Sequence, residues 1–95
     1  MSKAYLIARI RVHDKEKFET FKQMSTPLIS EYGGRLLARN PEVETLEGNQ
    51  EGLVVLIEFG SMDEARQFYF SDGYTAAKLV REKASEADLI LVEGV

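Results

Sequence analysis

LVVLIEFGSMDEARQFYF, residues 53–70, decides the fold. Its first seven residues are nearly all apolar, as expected of a central strand covered on both faces. Ser61-Met62-Asp63-Glu64 follows as a capping box, in which the Ser61 hydroxyl accepts from a free amide of the first turn and Glu64 reaches back. A strand therefore passes straight into a capped helix. The same plan stands upstream. AYLIARIRV, residues 4–12, alternates, with Leu6, Ala8, Ile10 and Val12 on one face and Tyr5, Ile7, Arg9 and Arg11 on the other. Asp14 is then placed to cap a helix.

Working outward, Phe18, Phe21, Ser25, Leu28, Ile29 and Tyr32 recur at spacings of three and four, the apolar stripe of one helix. Pro27 lies inside that stripe and is expected to kink it, and Gly33-Gly34 stops it. A second strand is expected from Arg35, broken near Asn40-Pro41 and recovering around Val43–Leu46. Residues 47–52 turn the chain into the apolar run at 53–59. The later helical region breaks near Ser71-Asp72-Gly73, restarts and runs to about Glu86, and residues 87–95 (ADLILVEGV) close as a strand. The chain thus makes two strand–helix–strand passes, at roughly 3–46 and 52–95. The expected fold is α+β, a ferredoxin-like βαββαβ sandwich with sheet order 4-1-3-2, in one domain over 1–95. Helices cover one face of such a sheet and leave the other bare, so that face needs a partner.

Composition narrows the functions. Ninety-five residues bury roughly 60–65% of their unfolded surface, which leaves little excess stability and makes dimerisation a natural supplement. A net charge of −4 and a pI near 5.0 argue against nucleic acid, whose backbone demands a basic surface. There is no cysteine and only one histidine, which excludes thiol chemistry and most multi-histidine metal sites. The N-terminal MSKAYLIARIRV is interrupted by Arg9 and Arg11 and reads neither as a signal peptide nor as a membrane span. The expected protein is cytoplasmic, without a membrane partner and without a cofactor.

AYLIARIRVHD, EYGGRLLAR, LEG, LVVLIEFGSMDEARQFYFS, Tyr74 followed by Arg81, and the closing LILVEG together resemble the bacterial family known as domain of unknown function 1330, within the dimeric α+β barrel superfamily. The resemblance spans essentially the whole chain. It implies a homodimer in which two sheets face one another, and it implies no reaction, because that family has none established. Other branches of the superfamily include cofactor-free quinol monooxygenases, haem-degrading oxygenases and muconolactone isomerases, so the fold leaves function open.

Two constellations carry the candidate chemistry. Arg9 and Arg11 share a face of the first strand, with Glu58 and Glu93 expected on the neighbouring strands and Arg35 and Arg39 sharing a face of the second strand. These six residues are either salt bridges fixing the register of a dimer interface or a cationic lining for a carboxylate or phosphate. Tyr74 and Arg81 lie seven residues apart, two turns along one helix face. With Tyr32, Tyr69 and His13 they are the candidates for a pocket between helices and sheet, where the resemblance implies the ligand lies. The expected ligand is a small acidic or phenolic molecule. The alternatives are a cofactor-free oxygenase or isomerase on the same pocket, with His13 or a glutamate such as Glu58 or Glu93 as base, and a structural or regulatory dimer with no ligand.

Overall fold

Alternation builds the first strand, β1 (Ala4–Val12), in the computed structural model, which describes residues 2–95. Asp14 caps α1 (Lys15–Glu31) by accepting from the Lys17 amide at 3.1 Å. Phe18, Phe21, Ser25 and Ile29 are its buried stripe, and Pro27 sits on its exposed side. β2 (Arg35–Asn40) and β3 (Leu53–Phe59) follow. Ser61 caps α2 (Met62–Tyr69), accepting from the Glu64 amide at 3.1 Å, while the Glu64 carboxylate accepts from the Gly60 amide at 3.2 Å. Ser71 ends α2 and starts α3 (Asp72–Ala84): its hydroxyl donates to the Phe68 carbonyl and accepts from the Tyr74 amide. One serine therefore explains the break in the second helical region. β4 (Ser85–Glu93) begins with no intervening loop.

The four strands form one antiparallel sheet in the order β2-β3-β1-β4, the expected 4-1-3-2 order read from the opposite edge. Leu6, Ala8 and Ile10 of β1 and Val55, Ile57 and Phe59 of β3 face the helices. They pack under Phe18, Phe21 and Ile29 of α1, Phe68 of α2 and Tyr74 and Ala77 of α3. Phe59 and Phe68 are wholly buried with ring centroids 5.2 Å apart, and Phe68 continues to Tyr74 at 4.7 Å. This aromatic run is the roof of the core, and each fully buried ring contributes roughly 3 kcal/mol relative to exposure.

The opposite face is bare and organised in rows across β2, β3, β1 and β4. A middle row of Ala38, Leu56, Ile7 and Ile90 is apolar throughout. On one side lie Arg35, Glu58, Tyr5 and Val92, and on the other Asn40, Val54, Arg9 and Asp88. Glu58 is the hub of the first charged row, 3.2 Å from Lys3, 3.9 Å from Arg35 and 3.4 Å from the Tyr5 hydroxyl. Asp88 is the hub of the second, 3.1 Å from Arg11 and 3.5 Å from Arg9.

Four expectations need correction. β2 stops at Asn40, and residues 43–46 lie in an exposed loop rather than a recovered strand. The last helix ends at Ala84, two residues before the expected Glu86, and the strand takes over at once. Glu93 pairs with Ala4 and is on the helix side of the sheet, so Asp88 is the carboxylate that meets Arg9 and Arg11. Leu89-Ile90-Leu91-Val92 is apolar on both parities, so alternation alone has nothing to orient that strand. Finally, Arg35 and Arg39 do not share a face. The ladder pairs Leu36 with Ile57 and then Ala38 with Leu56, so Leu37 is an extra residue in a bulge. One extra residue flips everything beyond it, and Arg39, opposite Val55, turns to the helix side.

Candidate functional site

The helix-side face of the sheet and the buried stripes of α1 and α3 enclose a cavity of about 30 Å³. That is room for about two water molecules. Its walls are apolar, from Leu6, Ala8, Ile10, Phe18, Phe21, Ile29, Leu36, Val55, Ile57, Phe68 and Leu89, and only Ser25, Arg39 and Tyr74 bring polar groups to it. Helical periodicity explains two of these three, because Ser25 lies on the same stripe as Phe21 and Ile29, and Tyr74 on the same stripe as Ala77 and Arg81.

Tyr74 and Arg81 meet as their spacing predicts. Arg81 Nη1 donates to the Tyr74 hydroxyl oxygen at 2.6 Å, and both residues are about 95% buried. The guanidinium also lies over the rings of Phe21, at 5.7 Å, and Tyr74, at 6.0 Å. Among the described residues no carboxylate pairs with it. A guanidinium held by one phenol and two ring faces has hydrogen-bonding capacity left over. Arg81 also lines an open groove with Glu82, Ser85, Glu86 and Ala87.

Because Arg81 donates to the Tyr74 oxygen, the hydroxyl proton of Tyr74 is free to point elsewhere, and Tyr74 lines the cavity. Burial pushes the Tyr74 phenol above its ordinary value of 10.0, an effect that the Arg81 charge only partly offsets. At neutral pH Tyr74 is thus a protonated donor, sharpened by the cation behind it.

Arg81 is connected to this cavity through its bond to Tyr74 and does not line it, and the remaining pocket candidates are not part of it either. Tyr69 packs its ring 5.3 Å from Tyr74 and lines a different, open depression with Phe70 and Leu89–Leu91. Tyr32 packs edge-on against Phe68 at 6.4 Å. His13 is exposed at the β1–α1 turn, where its backbone amide donates to the Ala84 carbonyl. Sequence reasoning missed Ser25 as a cavity residue and placed Arg39, a candidate for the strand-borne charged set, on the wrong face. A polar residue within an otherwise apolar stripe was the available signal for Ser25, whereas the position of Arg39 depends on the bulge. Among the described residues, no three or more His, Asp or Glu side chains gather as a metal site would require, and no helix is long and apolar enough to cross a membrane.

Several solved structures share this architecture at low identity. A protein of unknown function from Rhodopseudomonas palustris matches with a TM-score of 0.77 and 16% identity, over 99% of this chain and 83% of its own. SnoaB from Streptomyces nogalater, described as a cofactor-independent oxygenase, matches with a TM-score of 0.71 and 15% identity, over 97% of this chain and 92% of its own. A dimeric protein of unknown function with a ferredoxin-like fold, from Bacteroides fragilis, matches with a TM-score of 0.58 and 16% identity, over 97% and 94%. These likenesses establish the fold. No curated protein matches the chain. The family model described as domain of unknown function (DUF1330) matches residues 3–95, and the chain belongs to that family.

Proposed function

We propose that this protein binds a small acidic or phenolic molecule in the space between helices and sheet, with Tyr74 as hydrogen-bond donor and Arg81 as its positioning residue. The observation that supports this reading most is Arg81: a residue about 95% buried whose guanidinium has no carboxylate partner among the described residues and donates to a tyrosine that lines an apolar cavity. Packing alone needs no charge at that position, and even partial burial of one without a counter-ion opposes folding. An acceptor on the ligand takes the free Tyr74 proton, and its partial negative charge is met by the field of Arg81. The cavity has to widen to hold even a single ring, so binding includes a local opening. In this reading the protein is a cytoplasmic homodimer, joined through the bare sheet face.

The test is a titration with para-hydroxybenzoate, followed by the backbone amide signals of α1 and α3. Saturable shifts that weaken roughly tenfold in Tyr74→Phe support the reading. No shift at millimolar concentration sinks it.

A second reading, cofactor-free oxygenation, draws on the likeness to SnoaB. Such chemistry needs a base to ionise the substrate before oxygen accepts an electron. Tyr74 holds its proton too tightly for that work, His13 is exposed and outside the cavity, and neither Glu58 nor Glu93 lines it. Binding therefore stands first. Oxygen consumption upon addition of an ortho- or para-dihydroxy aromatic, abolished in Tyr74→Phe, would reverse that order.

A further inference from the structure

Four of the six arginines have carboxylate partners: Arg9 and Arg11 on Asp88, Arg35 on Glu58 and Arg66 on Asp63. Among the described residues the two without one are Arg81 and Arg39: Arg39 lines the cavity between helices and sheet, and Arg81 is bonded to Tyr74, which lines it too. We propose that Arg39 is the anion-recognising residue at the mouth of the cavity, and that the ligand is an aromatic carboxylate carrying a second acceptor at its far end. The inference rests on the reading of the cavity given above and adds the chemical class and orientation of its occupant.

The β2 bulge is what makes this arrangement. Without the extra residue Leu37, Arg39 would join Arg35 on the bare face, far from any helix; with it, the side chain crosses to α1. There Arg39 Nη1 donates to the Thr26 hydroxyl at 3.0 Å. Among the described residues Arg39 alone lines both the inner cavity and an outer groove of about 340 Å³, which runs along α1 past Lys22 and Thr26. Its one side-chain bond is to a neutral hydroxyl, which a carboxylate displaces readily, because charge-assisted bonds to guanidinium are about twice as strong. Release from Thr26 connects groove and cavity, and the same guanidinium then holds the acid in two-point fashion.

Electrostatics favour this entrance over the one beside Arg81. The α3–β4 groove carries Glu82 and Glu86, which repel an anion. In the α1 groove, Glu19 is already engaged by Lys22 at 2.9 Å, so Arg39 presents an uncompensated charge. An acid entering here leaves its ring against Phe18, Phe21 and Leu36 and directs its other end toward Tyr74.

The experiment compares para-hydroxybenzoate, para-hydroxybenzamide and benzoate on the wild type, Arg39→Gln and Tyr74→Phe, read by calorimetry and amide shifts. The amide probe lacks the charge for Arg39, and benzoate lacks the acceptor for Tyr74. Expected is a preference for the acid over the amide of about tenfold, abolished by Arg39→Gln and kept in Tyr74→Phe. Equal binding of acid and amide, or an acid preference that survives Arg39→Gln, overturns the role of Arg39 and leaves the Tyr74 site standing. Binding of none of the three probes overturns both. Arg39 is exposed and off the core, so Arg39→Gln folds; Arg39→Lys, which keeps charge without the fork, should restore only part of the preference.

Discussion

At the scale of single residues, Arg81 is the position where folding and function pull apart. A structural arginine has a counter-ion whose loss is felt at once, whereas Arg81 has a phenol and two ring faces. Methionine keeps the apolar stem and removes the buried charge. Arg81→Met is therefore expected to be as stable as the wild type or about 1 kcal/mol more stable by urea unfolding, and to lose the response to para-hydroxybenzoate. A loss of stability of about 3 kcal/mol would instead make Arg81 a structural residue. Tyr74 supplies the matching pH test. Its folded value lies above the unfolded 10.0, so the folded chain holds more protons in the window between them. Its contribution is whole below the unfolded value and is lost as pH rises through the folded one. The wild type should lose more stability than Tyr74→Phe between about pH 9 and about pH 11, and one of the four tyrosines should ionise late by ultraviolet absorbance. Identical alkaline profiles for the two proteins would contradict the burial of that phenol. The Tyr74–Arg81 pair was legible in the sequence because helical spacing fixes neighbours two turns apart. Arg39 was not, because its face is set by an irregularity two residues upstream.

Elements read well wherever a local device fixes them. Asp14, Ser61 and Ser71 each start a helix by accepting from a first-turn amide; the first two were read as caps from residue type and position, and Ser71 only as part of a break. Strands read less well, since period two only orients a strand whose faces differ. β1 does differ and was placed correctly, while β4 is apolar on both faces and β2 hides a bulge, so Glu93 and Arg39 came out on the wrong sides. The β1–β3 junction shows a constraint that no pattern signals. Gly52 has φ of +84°, and a Cβ there would collide with the carbonyl oxygen of Ile10. Gly48 has nearly the same φ, +80°, with nothing near its would-be Cβ. Gly48→Ala should then cost only the backbone penalty of about 1 kcal/mol. Gly52→Ala should cost about 3 kcal/mol, by displacing β3 from the end of β1. The comparison is made by urea midpoints, and equal losses would mean that the close approach is absent in solution.

For the whole molecule, the bare sheet face is the surface that a second copy would cover. The charged side chains there are already paired within one chain, around Glu58 and Asp88, and half-exposed pairs of this kind contribute about 1 kcal/mol or less. The apolar middle row has no such internal partner: Ile90 is 58% exposed, and Val92 beside it 44%. In the proposed homodimer, a second copy laid face to face would cover that row and set the two charged hubs at its rim, where they would penalise wrong registers more than they strengthen the right one. Sedimentation equilibrium at micromolar concentration should therefore find twice the chain mass of 10.7 kDa. Ile90→Asp leaves the monomer intact, because the side chain is exposed, but places an unpaired charge in the covered row. Its dissociation constant should rise at least about a hundredfold. Arg9→Ala removes only a rim pair and should raise it by less than about tenfold. The reverse ranking would mean that ion pairs, rather than the apolar row, hold the two copies together. A wild-type monomer would mean that some other surface covers this face.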